Sequence, residues 1–94
     1  MKAQSIYKVP NGKLLKIFVE FDDRNKTILW IRITGDFFAY PEEVIELLEK
    51  KLLHTKIQHD ELLKKIQSVI AHNDIQLIGL NAEGLTEAIM RCVP

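Results

Sequence analysis

Apolar residues recur at every second position through the first forty residues, and at every third or fourth position after Tyr40. The first spacing is that of strands with one buried face; the second is that of amphipathic helices. Three stretches rich in β-branched and aromatic residues, Ser5–Val9, Lys13–Asp22 and Lys26–Thr34, are therefore predicted to be strands. Between the first two, Val9-Pro10-Asn11-Gly12 puts proline at the second turn position, where its fixed φ fits, and glycine at the favoured fourth, so a tight hairpin is predicted.

The pattern also selects a register. Leu15, Ile17, Val19 and Phe21 share one face of their strand, and Leu29, Ile31 and Ile33 share one face of the next. To put both sets on the same side, opposed residues must have equal parity, which requires a loop with an odd number of residues. The prediction is a three-residue loop, Asp23-Arg24-Asn25, with Asn25 in the left-handed conformation that asparagine tolerates. Leu15 then opposes Ile33, Ile17 opposes Ile31 and Val19 opposes Leu29; a slip by one residue would expose the whole set. On the second face Phe18 opposes Trp30, with Leu14 and Ile28 nearby, and Lys16 opposes Arg32.

After Tyr40 the helical period takes over. Pro41 suits a first helical position, and Glu42 and Glu43 suit the positive end of a helix dipole. Val44, Leu47, Leu48 and Leu52 form one stripe; Leu62, Leu63, Ile66, Val69 and Ile70 form another and predict a helix from His59 to His72. A third helix begins after Asn81, a good N-cap, and uses Leu85, Ala88, Ile89 and Cys92. Gly84 stands at its third position, where a capping box would need a glutamate. The apolar segment Ile75–Leu80 is expected to tuck against the body. Strands followed by helices define an α+β fold: a three-stranded antiparallel β-meander, then three helices packed on one face, in a single domain over residues 1–94.

Charge narrows the range of partners. Lysine and arginine number 13 against 13 acids, and neither half of the chain carries a surplus, so the basic footprint of a nucleic-acid binder is missing. The single Cys92 excludes an internal disulfide framework and fits a reducing compartment. No apolar stretch approaches the ~20 residues of a membrane span, and Met1–Ser5 has no signal-like apolar core. A cytoplasmic protein with no membrane partner is expected.

The catalytic inventory is thin. His54, His59 and His72 lack metal-ligand spacing and read as solvated. Cys92 reads as a small buried hydrophobe without a partnered histidine. The four glycines are scattered and form no phosphate loop. No residue is assigned a catalytic or metal-binding role.

More informative is the second face of the sheet. Helices can cover only one side of three strands, so Phe18, Trp30, Leu14 and Ile28 either form an interface or are covered by the last helix or the Ile75–Leu80 segment. Directly opposed Lys16 and Arg32 would repel, and an acidic or phosphate-bearing partner group could relieve them. The densest local signal is Ile33-Thr34-Gly35-Asp36-Phe37-Phe38-Ala39-Tyr40-Pro41-Glu42, a strand-to-helix corner in which glycine permits a bulge and Asp36 a turn, filled with aromatics.

These residues carry a resemblance. Tyr7-Lys8-Val9-Pro10-Asn11-Gly12-Lys13-Leu14-Leu15 resembles the opening hairpin of lipoate–protein ligase accessory (C-terminal) domains; Ile33–Glu43 resembles their Thr-Gly-Asp-Phe-Phe…Pro-Glu-Glu corner, and Gly79-Leu80 also fits. Two departures stand out: His54-Thr55 where the first helix often ends on glycine, and Gly84 where an acidic residue is common.

The resemblance implies a non-catalytic subunit of a two-chain ligase, since no catalytic domain precedes it here. It would form a heterodimer with a separate catalytic chain that handles ATP, with Mg, and lipoate. The complete enzyme would activate lipoate to lipoyl-AMP and transfer lipoyl to a lysine of acceptor domains, which this chain would meet only indirectly. Gly12, Lys13, Gly35, Asp36, Phe37 and Phe38 are the expected docking surface or cover for the nucleotide. Lys8, Lys16, Phe18, Trp30 and Arg32 are expected to join in partner binding. Lys13 could also stabilise phosphate charge as lipoyl-AMP forms. The competing reading is a stand-alone protein-binding adaptor module.

Overall fold

The computed structural model describes residues 1–93. Strands β1 (Lys2–Lys8), β2 (Leu14–Phe21) and β3 (Ile28–Gly35) form an antiparallel sheet in the order β1-β2-β3. A short β4 (Phe38–Tyr40) leads to helices α1 (Val44–Lys51) and α2 (His59–His72); β5 (Gln76–Ile78) then pairs with β4, and α3 (Ala82–Met90) closes the chain. The architecture is the expected α+β arrangement. Helix α3 packs on β1 and β2, α1 lies against β3, and α2 packs on α3.

The hairpin between β1 and β2 follows its sequence. The Gly12 amide donates to the Val9 carbonyl (2.8 Å), and Asn11 takes φ of 58°, the positive value that a type II turn requires at its third position. β1 begins three residues before the predicted Ser5. Lys2-Ala3-Gln4 has no β-branched residue, and pairing rather than propensity makes it a strand: Lys2 opposes Glu20, and the Phe21 amide donates to the Met1 carbonyl (2.9 Å).

The second connection corrects the predicted register. The loop holds four residues, Asp23–Lys26, closed by the Asp22 amide donating to the Thr27 carbonyl (2.9 Å); Lys26, not Asn25, takes the positive φ of 56°. Asp22 Oδ1 accepts from the Arg24 and Asn25 amides at 2.8 and 3.0 Å, which fixes the turn. An even loop alone would flip every side chain of β3. A bulge undoes this, because the register shifts between Glu20, opposite Trp30, and Phe21, opposite Ile28. Ile17 therefore opposes Ile33, Val19 opposes Ile31 and Leu15 opposes Gly35, each two residues from the expected pair. Parity survives, so Leu15, Ile17, Val19, Phe21, Ile31 and Ile33 are all buried as expected. Ile28 and Leu29 exchange roles: Ile28 is fully buried and Leu29 is 46% exposed.

Helix α1 starts at Val44, three residues after Pro41. Residues 41–43 form a turn in which the Val44 amide donates to the Pro41 carbonyl (3.1 Å), so Glu42 and Glu43 precede the first turn, where Glu46 is the acid. Val44, Leu48 and Leu52 are buried, and Leu47 is half-buried. Beyond the helix, His54 takes φ of 68°, the conformation in which glycine usually ends a helix, so the departure from the family pattern keeps the geometry. Its amide donates to the Ile28 carbonyl (2.7 Å), and the Ile28 amide donates to the Thr55 carbonyl (3.0 Å), stitching this segment to the edge of β3.

Helix α2 matches its predicted bounds, with Leu62, Ile66 and Val69 buried. Asn81 caps α3 as predicted, its side chain accepting from the Gly84 amide at 2.6 Å. The Ile75–Leu80 segment does lie against the body, with Leu80 buried and Ile75 and Leu77 half-buried; its three central residues also form β5, which periodicity did not reveal.

Candidate docking surfaces

Neither α3 nor the Ile75–Leu80 segment wraps round to cover the second face of the sheet. Ile6 is 62% exposed, Trp30 48% and Leu14 43%, with Phe18 half-buried among them. Register places Lys2, Gln4, Ile6 and Lys8 of β1, Leu14, Lys16, Phe18 and Glu20 of β2, and Trp30, Arg32 and Thr34 of β3 on this outer face. The expected cross-strand pairs are replaced. Phe18 opposes Arg32, Trp30 opposes Glu20, and Lys16 opposes Thr34, whose Oγ1 donates to the Lys16 carbonyl (3.1 Å). The like-charge clash between Lys16 and Arg32 is thus relieved by register. Each cation instead lies over a ring: Lys16 Nζ is 5.3 Å from the Phe18 centroid, and Arg32 Cζ is 5.8 Å from that of Trp30. Ile28, expected on this face, is in the core.

The glycine corner is a second constellation. The hairpin tip, the end of β3 and Gly79 meet there backbone to backbone. The Lys13 amide donates to the Gly79 carbonyl (2.8 Å), and the Asp36 amide donates to the Leu14 carbonyl (3.1 Å). Gly35 has φ of 153°, and a Cβ there would overlap the Leu14 carbonyl oxygen. Gly79 has φ of 85°, and a Cβ would run into the Lys13 side chain, with the Phe37 backbone beyond. Gly12 leaves room for the Gly79 carbonyl, 2.8 Å from where its Cβ would be. Gly12, Gly35 and Gly79 thus have a packing reason independent of any partner.

Beyond the corner the β4–β5 ribbon exposes its outer side. Phe38 opposes Ile78 and Tyr40 opposes Gln76; Phe38 is 62% exposed, and Tyr40 and Ile78 are about half exposed. Phe37 and Ala39 turn inward against the core. The structure therefore sorts the predicted partner-binding residues into two groups. Gly12, Lys13, Gly35, Asp36, Phe37 and Phe38 gather at the corner and ribbon; Lys8, Lys16, Phe18, Trp30 and Arg32 lie on the sheet. Sequence reasoning missed Ile6, Tyr40 and Ile78. Ile6 had a signal, alternation with Lys2, Gln4 and Lys8, hidden because its strand was begun at Ser5.

Elsewhere the chemistry is sparse. His54, His59 and His72 are exposed; His59 Nδ1 lies 3.2 Å from Asp60 Oδ1 and His72 Nδ1 2.7 Å from the Ser68 carbonyl. Cys92 is buried and donates to the Ala88 carbonyl (3.6 Å); burial pushes its thiol pKa up, against an opposing hydrogen bond with Ser5. A surface cleft of about 460 Å³ between Tyr7, Pro10, Leu63 and the start of α3 carries Glu83, Glu87 and His59. Among the described residues no group of three metal-ligating side chains occurs, and no helix is long and apolar enough to cross a membrane.

The surface thus offers an open aromatic sheet, an apolar ribbon and a glycine corner, with little reactive chemistry among the described residues. Residues 10–89 match the family described as the bacterial lipoate protein ligase C-terminus, and the chain belongs to that family. Among solved structures it is similar to a chain from an archaeal lipoylation system of Thermoplasma acidophilum, a bi-partite lipoate protein ligase and its E2 lipoyl domain. The two are 25% identical with a TM-score of 0.80, over 95% of this chain and 94% of that one. Comparison with curated proteins gives no match.

Proposed function

We propose that this chain is the non-catalytic subunit of a two-chain lipoate–protein ligase. It docks on a separate catalytic chain, which holds ATP, Mg and lipoate, and is required there for activating lipoate to lipoyl-AMP before lipoyl passes to a lysine of an acceptor domain. The observation that carries this reading is the near-complete mutual coverage with a chain of a bi-partite ligase, joined to the family match over residues 10–89. The similar structure is a chain of a bi-partite ligase, and the two match over 95% of this chain and 94% of that one.

The distribution of surface supports the same reading. Apolar side chains each gain about 1.5–3 kcal/mol on burial, and two exposed groups of them favour a covering partner. At the hairpin tip the exposed Lys13 is the residue assigned to phosphate charge in the activation step, where a positioned cation stabilises the transition state. The cytoplasm is the proposed compartment, in keeping with a free cysteine.

The test is lipoate-dependent pyrophosphate release from ATP by the catalytic chain, measured with and without this one. Activation that rises on addition, and falls again with Lys13→Ala at saturating subunit, is the expected result. Equal activity in both mixtures overturns the subunit reading.

A further inference from the structure

We infer that the outer face of the β1-β2-β3 sheet is the surface that docks reversibly on an acidic, apolar-centred surface of the catalytic ligase chain. This rests on the proposed function and adds to it the face, the chemistry of the partner and the reversibility of the contact.

The partner's character follows from the charges. Lys2 has Glu20 opposite it, but Lys8, Lys16 and Arg32 have no carboxylate within 4.0 Å among the described residues. The whole chain is neutral, so this face holds a local surplus. Covering unpaired cations with a neutral apolar surface would strand them away from water, at several kcal/mol per ion. The occupant must therefore bring carboxylates to the rim. It must also bring apolar side chains to the centre, where Ile6, Leu14 and Trp30 are exposed. A cleft of about 420 Å³ between Lys2, Phe18, Glu20 and Trp30 would seat one such side chain.

Other occupants fit less well. A second copy stacked face to face would set lysine and arginine against lysine and arginine, so an isologous dimer repels itself. A single-stranded nucleic acid would satisfy the cations and rings but would leave Ile6 and Leu14 uncovered, and the neutral chain offers no field to attract it. An acidic protein surface satisfies both the rim and the centre.

The area sets the strength. Three strands of seven to eight residues, spaced ~4.8 Å apart with ~3.3 Å per residue, cover roughly 350 Å² of plane. A stable complex buries about 800 Å² per partner. Side-chain relief raises the accessible area of the face above this footprint but leaves it at the small end of interface sizes, the range of contacts that form and release.

The experiment measures binding of this chain to the purified catalytic chain by calorimetry, for wild type, Trp30→Ala and Lys16→Glu/Arg32→Glu, each first shown to keep the wild-type unfolding midpoint. Both variants should bind roughly tenfold or more weakly, as expected for an aromatic anchor and its charged rim. Wild-type affinity should fall as salt is raised, and the charge-reversed variant should respond less. If wild type binds and both variants bind equally well, the assignment of this face is overturned while the subunit reading stands. If wild type does not bind the catalytic chain, the subunit reading itself falls. Capture of a single-stranded oligonucleotide that these substitutions abolish, with docking on the catalytic chain unchanged, also overturns the inference.

Discussion

Replacing Gly35 with alanine tests the corner on which both surfaces depend. Gly35 sits at the end of β3 with φ of 153°, and its missing side chain makes room for the Leu14 carbonyl, which accepts from the Asp36 amide at 3.1 Å. A methyl group there meets backbone, not a flexible side-chain end, so it cannot be accommodated by a rotamer change. Either the residue leaves its φ, or the Leu14 carbonyl moves away and its hydrogen bond opens. Holding a residue with a side chain in a glycine-only region costs about 1–3 kcal/mol, and a lost hydrogen bond about 0.5–1.5 kcal/mol. Together Gly35→Ala should cost roughly 2–4 kcal/mol of a total near 5–15 kcal/mol. In urea, with a slope of about 1–3 kcal/mol per M, the unfolding midpoint should fall by roughly 0.7–4 M. Gly12→Ala is the comparison: it too crowds a carbonyl, that of Gly79, but with no positive φ to hold, and it should cost less. An unchanged midpoint for Gly35→Ala would refute the argument from close approach.

The bulge in β3 predicts that Ile28→Ala costs about 2–5 kcal/mol as a core truncation, while Leu29→Ala stays within about 0.5 kcal/mol; denaturation of the pair would show the reverse if the ladder were regular. Removing the α3 cap with Asn81→Ala should cost ~1 kcal/mol, and Asn81→Asp should restore most of it, read as melting temperatures. Asp22 is held below its usual carboxylate range by the Asn25 and Arg24 amides. Its folded pKa lies below its unfolded one, so its contribution is complete above the unfolded value and is lost as pH falls through the folded value. The stability gap between wild type and Asp22→Ala should therefore close on acidification, and a gap constant from neutral to acid pH would contradict this. Cys92, buried with a raised pKa, should react with a chromogenic disulfide only after denaturant is added; prompt labelling of the native chain would place the thiol at the surface.

The long elements were legible because each had a period and a signal at its ends. Five apolar residues at helical spacing gave α2, and asparagine before an apolar stripe gave α3 and its cap. The register of β2 and β3 was legible only in parity. A four-residue loop and a one-residue bulge each reverse the facing, and their effects cancel. The buried set was therefore right except that Ile28 changed places with Leu29, and every pair was displaced by two. The β4–β5 ribbon was missed because three-residue strands are too short to display alternation. Phe37 and Phe38 were recognised as important, but only pairing of Phe38 with Ile78 shows which of them faces outward. The sheet surface was legible in its aromatics and cations and was missed at Ile6, because the first half of its strand is made by pairing with β2 more than by its own composition.

The edges of the sheet bear on the inference that docking uses its face. An uncovered edge invites another strand, and that route is obstructed on both sides. On the β3 side several outward-pointing groups are already taken: just before the strand the Lys26 carbonyl accepts from the Ile57 amide (2.7 Å), both Ile28 groups bond to residues 54 and 55, and the Ile33 amide donates to Glu49 Oε2 of α1 at 2.8 Å. Along β1 the outer positions near either end are Lys2 and Lys8, charges that discourage strand addition. What remains open is a surface read through side chains, and side chains discriminate where backbone pairing does not. With Lys16 and Arg32 resting on Phe18 and Trp30, the uncovered rings are shielded while the chain is alone. On the inferred docking, a partner carrying carboxylates would draw the cations outward and cover the rings they leave. On that docking, the same two cations select what the face binds.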